Sequence, residues 1–132
     1  MNFLAPELCA FYLHDSSINN VVLEESKTTL YFKDGFFDAE HNQKQNCKIV
    51  LYSSLFDPKE SLFCYQITIT DPIPCDDISL DSFCDMISKD AFVIEVEYYS
   101  EFEKALLLIG KIGCKNVTFK ITDIEKVEFN YV

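Results

Sequence analysis

The chain has 132 residues, of which 48% are apolar, 25% charged and 14% aromatic, which excludes disorder, collagen-like repeats and coiled coil and suits one domain over 1–132. Asp and Glu total 22 against 11 Lys and no Arg, for a formal charge of −11. That excludes the Arg forks and positive stripe that usually grip nucleic acid or an anionic membrane surface, and no apolar run approaches the roughly 20 residues of a spanning helix.

Residues 3–13 read as a short helix or an apolar arm. Strand signals follow. Residues 18–25 carry the sheet-favouring Val21, Val22 and Leu23, and a short link through Ser26 suits a hairpin. Residues 28–33 alternate, with Leu30 and Phe32 facing inward and Thr29, Tyr31 and Lys33 outward. Asp34-Gly35 signals a turn, and the polar stretch 38–46 reads as a loop. In 47–53, Cys47, Ile49 and Leu51 share a face; Asp57-Pro58 marks a turn. Residues 62–70 form the clearest strand, with Phe63, Tyr65, Ile67 and Ile69 opposed to Cys64, Gln66, Thr68 and Thr70. Prolines 72 and 74 donate no ladder bond, so the chain leaves the sheet there.

A helix is expected over about 78–89. Asp77 or Ser79 caps it, and Leu80, Phe83, Cys84 and Ile87 make one apolar stripe. Residues 92–99 alternate again, with Ile94, Val96 and Tyr98 on one face and Glu95, Glu97 and Tyr99 on the other. The apolar run 105–109 suits a buried strand or a short helix and is read as a strand, because a link over 110–116 then leads to the alternating Val117, Phe119 and Ile121; a last strand through Val127, Phe129 and Tyr131 completes the chain. The expected fold is α+β and mainly antiparallel. It is a curved sheet or partly closed barrel of about eight strands, with the helix on one face or end.

The acidity is uneven. Ten carboxylates lie between Asp71 and Glu103, with Lys89 as the one cation among them. Asp77, Asp81 and Asp85 follow one another at helical spacing, opposite the apolar stripe. This is either an ordinary solvated face or a docking face for a basic protein. Tyr98, Tyr99 and Phe102 interrupt the acidic tract, and alternation assigns Tyr99 to the solvent side, beside Glu97 and Glu101.

Other chemistry is poorly supported. The six cysteines have no C-x-x-C pair, and His14 and His41 stand apart from them, which disfavours zinc. No calcium loop, nucleophile elbow, P-loop, dinucleotide fingerprint or zinc-protease motif occurs. His14-Asp15 reads as a turn or cap before the first strand rather than a metal site, and nothing in the spacing joins a cysteine to a histidine as a nucleophile pair. The opening residues lack a basic region, and Glu7 breaks their apolar stretch. They make a poor signal peptide, so thiols in a reducing cytoplasm are expected.

The run Leu13-His14-Asp15-Ser16-Ser17-Ile18, the strand ending Leu30-Tyr31-Phe32-Lys33-Asp34-Gly35, and the closing Ile121-Thr122-Asp123-Ile124-Glu125-Lys126-Val127-Glu128-Phe129 resemble small uncharacterised bacterial proteins. Some of those are grouped with immunity proteins of polymorphic toxin systems. The resemblance covers about 25 residues after Leu13 and the last ten, and brings no catalytic residues. It implies a β-rich, cytoplasmic, non-enzymatic protein that neutralises a toxin by binding.

The leading expectation is therefore an acidic binding protein without cofactor or metal. It docks a basic protein, such as a toxin, through Asp77, Asp81, Asp85, Glu95, Glu97, Tyr99 and Glu101. Two alternatives stand beside it: a small β-barrel holding an apolar ligand among its 12 Phe and 7 Tyr, and a carboxylate-based or metal-dependent enzyme.

Overall fold

The computed structural model describes residues 2–4, 11–13, 15–33, 35–38, 44–45, 47–57, 59, 64–70, 76–100 and 102–131. In chain order the strands are β1 (Asn2–Leu4), β2 (Phe11–Tyr12), β3 (Ser17–Glu24), β4 (Lys27–Lys33), β5 (Phe36–Asp38), β6 (Lys44–Gln45), β7 (Cys47–Tyr52), β8 (Tyr65–Ile69) and β9 (Asp76–Ile78). Helix α1 (Leu80–Lys89) follows, then β10 (Phe92–Ser100), β11 (Ala105–Ile112), β12 (Lys115–Ile121) and β13 (Lys126–Tyr131).

The main sheet is antiparallel, in the order β1-β13-β7-β4-β3-β10-β11-β12-β8-β9, and it curls without closing. A small second sheet runs β2-β5-β6. The α+β class and the curved sheet thus hold. Several short strands were missed. Residues 3–13 contribute strand rather than helix at both β1 and β2, and β5 and β6 enter the expected 38–46 loop. Strands this short are held by backbone pairing and leave no side-chain period to read. His14, His41, Cys9, Cys75, Phe63 and the 71–74 exit lie outside the described residues.

The inner face of the curl is the core. Leu30, Ile49, Leu51, Ile67, Leu108, Val117, Phe119, Ile121 and Val127 are all buried there. Two-residue turns make the hairpins: Glu25-Ser26, with Ser26 at φ 65°, and Gly113-Cys114, with Gly113 at φ 60°. The second turn places Gly110–Ile112 inside β11 rather than in the link expected over 110–116. Thr29, expected outward, is buried beside its register neighbours Val22 and Val50.

The helix behaves as its stripe requires. Ser79 is the cap, accepting from the Ser82 N–H at 3.1 Å, and Leu80, Phe83 and Ile87 are buried. Phe83 meets Phe119 at 4.7 Å and Phe92 at 5.7 Å between ring centroids, which lays α1 across the inner face. Burying a side chain of that size is worth about 1.5–3 kcal/mol. Farther round the curl, the buried Tyr65 hydroxyl hydrogen-bonds the Thr28 hydroxyl, joining β8 to β4 across the interior. Burial pushes the Tyr65 hydroxyl pKa well above its ordinary value, so Tyr65 keeps its proton.

β10 departs from simple alternation. Its register with β11 runs Phe92↔Ile112 and Ile94↔Gly110, then shifts to Val96↔Ile109, Glu97↔Leu108 and Tyr99↔Leu106. The extra residue is a β-bulge, and it exchanges the two faces of the strand beyond it. Gly110 lies opposite the bulge. A Cβ there would sit 1.9 Å from the Val93 carbonyl oxygen, so only glycine permits the backbones to approach this closely.

Candidate functional site

Of the seven residues expected to form one docking face, the six that are described divide among three elements, β9, α1 and β10. Asp77 precedes the helix: it lies exposed on edge strand β9, where its Oδ1 accepts from the Thr68 hydroxyl at 2.8 Å. Asp81 and Asp85 are exposed on α1, one turn apart and opposite Leu80, Phe83 and Ile87. Asp81 lies in the first helical turn, where the dipole favours a negative charge, and Lys89 lies in the last, where it favours a positive one. Asp90, also exposed, caps the C-terminal end. So β9 and α1 form a run of exposed acids, Asp77, Asp81, Asp85 and Asp90, interrupted by Lys89.

Glu95, Glu97 and Tyr99 do not join that run, and the bulge is the reason. Glu95 sits on the outer face of the sheet, 3.9 Å from the Lys111 ammonium, whereas α1 packs on the inner face. Glu97 is turned to the inner side next to Leu108, half-buried, and its Oε1 accepts from the Leu13 N–H at 3.3 Å. It serves the fold. Tyr99 packs against the core, and the outward tyrosine is its neighbour Tyr98, 62% exposed. Glu101 lies outside the described residues.

What the expected alternation hid is an apolar outer face. Val96 pairs directly with Ile109, and Tyr98 with Leu107, all on the side away from the core. Val93 is exposed at one end of this stripe, and Phe102, 98% exposed, stands in the turn at the other. Two ion pairs flank it, Glu95–Lys111 and Glu103–Lys120, the latter at 3.2 Å. One signal in the sequence pointed to it: a glycine inside an otherwise apolar strand marks a bulge or a close backbone approach, and Gly110 is that glycine.

Cys64, Cys84 and Cys114 are free thiols. Burial pushes the Cys64 thiol pKa up, Asp123 adds to the shift, and its Sγ lies 3.5 Å from the Leu55 carbonyl oxygen. Burial raises that of Cys84 too, helped by Asp81 and Asp85, and its Sγ faces the Val21 carbonyl at 3.5 Å. Both therefore hold their protons at neutral pH, the opposite of an activated thiolate. A cavity of ≈ 380 Å³ opens beside Asp77, walled in part by Cys64, Gln66, Lys120 and Thr122. Among the described residues no three His, Cys, Asp or Glu side chains gather as metal ligands would, and no helix is long and apolar enough to cross a membrane.

Comparison with family models, with curated proteins and with solved structures finds no match.

Proposed function

We propose that the protein is a non-enzymatic, cytoplasmic binding protein that docks a basic protein along β9 and α1, in the manner of an immunity protein neutralising a toxin. One observation carries this reading: the exposed run Asp77, Asp81, Asp85 and Asp90, opposed within that stretch by Lys89 alone, in a chain of charge −11. Asp81 and Asp85 repel one another at the spacing of one turn, which costs folding a few tenths of a kcal/mol. Their pairing is more useful to a cationic partner than to the helix. A field of this sign draws a basic protein in and raises its association rate, by about 10- to 1,000-fold in steered complexes. Glu95, Glu97 and Tyr99 drop out of the contact set, since the first is paired on the other face and the other two serve the interior.

The test is affinity capture from a bacterial lysate with the wild-type chain and with a triple Asp77→Lys, Asp81→Lys, Asp85→Lys variant. Stopped-flow association of the captured protein, once purified, follows. The expected result is a basic protein retained by the wild type alone, whose on-rate drops at least about tenfold from low to physiological salt. Capture of no basic protein, equal capture by the triple variant, or an on-rate flat in salt overturns the proposal.

A further inference from the structure

We infer that two copies of this chain pair through the outer face of β10 and β11, a surface separate from the acidic run on β9 and α1. Six large apolar side chains are exposed among the described residues, and five of them, Val93, Val96, Tyr98, Phe102 and Ile109, belong to this one hairpin. The register makes them contiguous: Val96 lies opposite Ile109, and Tyr98 opposite Leu107, across the same two strands. Exposed apolar surface gathered in this way, with a polar rim, is what contact surfaces look like. Tyr98 and Phe102 supply the large rigid area that anchors them.

The charges say which partner fits. Among the described residues, the two carboxylates flanking the stripe each face a lysine of the same chain: Glu95 with Lys111 and Glu103 with Lys120. Among the described residues this face thus balances its charges, without the acidic surplus of β9 and α1 that selects a basic protein. It has instead what an isologous two-fold contact needs, both signs on one patch, so that each lysine of one copy can face a glutamate of the other. The apolar stripes then stack face to face, as sheets do at about 10 Å separation. The two copies still repel at long range, since each carries −11. Salt removes that repulsion and leaves the apolar contact intact, so this association tightens with ionic strength, whereas docking of a basic partner weakens.

The experiment is sedimentation equilibrium of the purified full chain over a concentration series at low and high salt. A concentration-dependent dimer is expected, tighter at high salt. Tyr98→Lys raises the dissociation constant at least about tenfold, as loss of a central aromatic does. The milder pair Val96→Thr and Tyr98→Ser also weakens it, with an unchanged circular dichroism spectrum as the check on folding. Asp81→Lys with Asp85→Lys leaves the dimer in place, which separates this result from that of the proposed function. A chain monomeric at every concentration and salt overturns the inference and turns this face over to a foreign partner. A dimer untouched by both β10 variants, or one that dissociates as salt rises, overturns it too.

Discussion

Helix α1 and strand β10 follow one another in the chain and carry the same kinds of residue, yet they present opposite surfaces. On α1 the apolar stripe of Leu80, Phe83 and Ile87 goes inward, and Asp81 and Asp85 go to solvent. On the second half of β10 the carboxylate of Glu97 and the ring of Tyr99 go inward, while Val96 and Tyr98 face out. The difference lies in the bulge: α1 keeps one unbroken stripe, whereas β10 carries an inserted residue. A strand has a period of two, so one extra residue reverses every side chain beyond it.

The largest expected effects break each element at its anchor. Phe83→Ala removes the ring that α1 sets between Phe92 and Phe119, and should cost about 3–5 kcal/mol in urea unfolding. Gly110→Ala drives a methyl group into the backbone at Val93, which cannot swing aside as a side chain would. A loss of about 3 kcal/mol is expected, the upper end for overpacking, with amide exchange rising first along β10 and β11. Equal exchange in wild type and variant would remove the bulge from the account of the outer face.

A smaller effect tests the interior that both elements share. Tyr65→Phe leaves the buried Thr28 hydroxyl without its partner and should cost about 1–3 kcal/mol. Adding Thr28→Val should restore part of that, so the double variant is more stable than the sum of the singles implies. The sign of the pH dependence is set as well. Tyr65, Cys64 and Cys84 all have pKa values raised by burial, so at high pH the unfolded chain loses these protons before the folded one does. Stability from this source is complete below pH 8 and declines as pH climbs past the ordinary thiol and phenol values, near 9 and 10. Tyr65→Phe should flatten the decline above pH 10, and a thermal-melt series reads it directly.

The smallest expected effect is on the helix surface. Asp85→Asn removes a like-charge contact with Asp81 and should change stability by less than about 0.5 kcal/mol, in the stabilising direction at low salt. A loss of more than about 1 kcal/mol would mean that Asp85 serves the fold.

These two elements also show what the sequence made legible. The stripe of α1 and its Ser79 cap, the alternation of β8 and the face shared by Cys47, Ile49 and Leu51 were all readable, because burial on one side imposes an unbroken period. The first half of β10 was readable for the same reason. Its second half was not, since nothing in Phe92 to Ser100 marks Ile94 to Val96 as the place where register shifts; the one local clue, Gly110, lies on the partner strand. The acidic site fared accordingly. The part on β9 and α1 stays exposed, though Asp77 belongs to the strand, and the part on β10 disperses.

The place of β13 in the sheet bears on how the molecule is made. It lies between β7 and β1, with Val127 opposite Leu51, so the flank of β7 waits for a segment synthesised much later. While the ribosome is still translating the middle of the message, that flank is an open row of amides and carbonyls, on a strand whose other residues are mostly greasy. A nascent chain stalled before residue 126 would offer it to the nearest unfinished neighbour, and polysomes carrying this message are where clumping should begin.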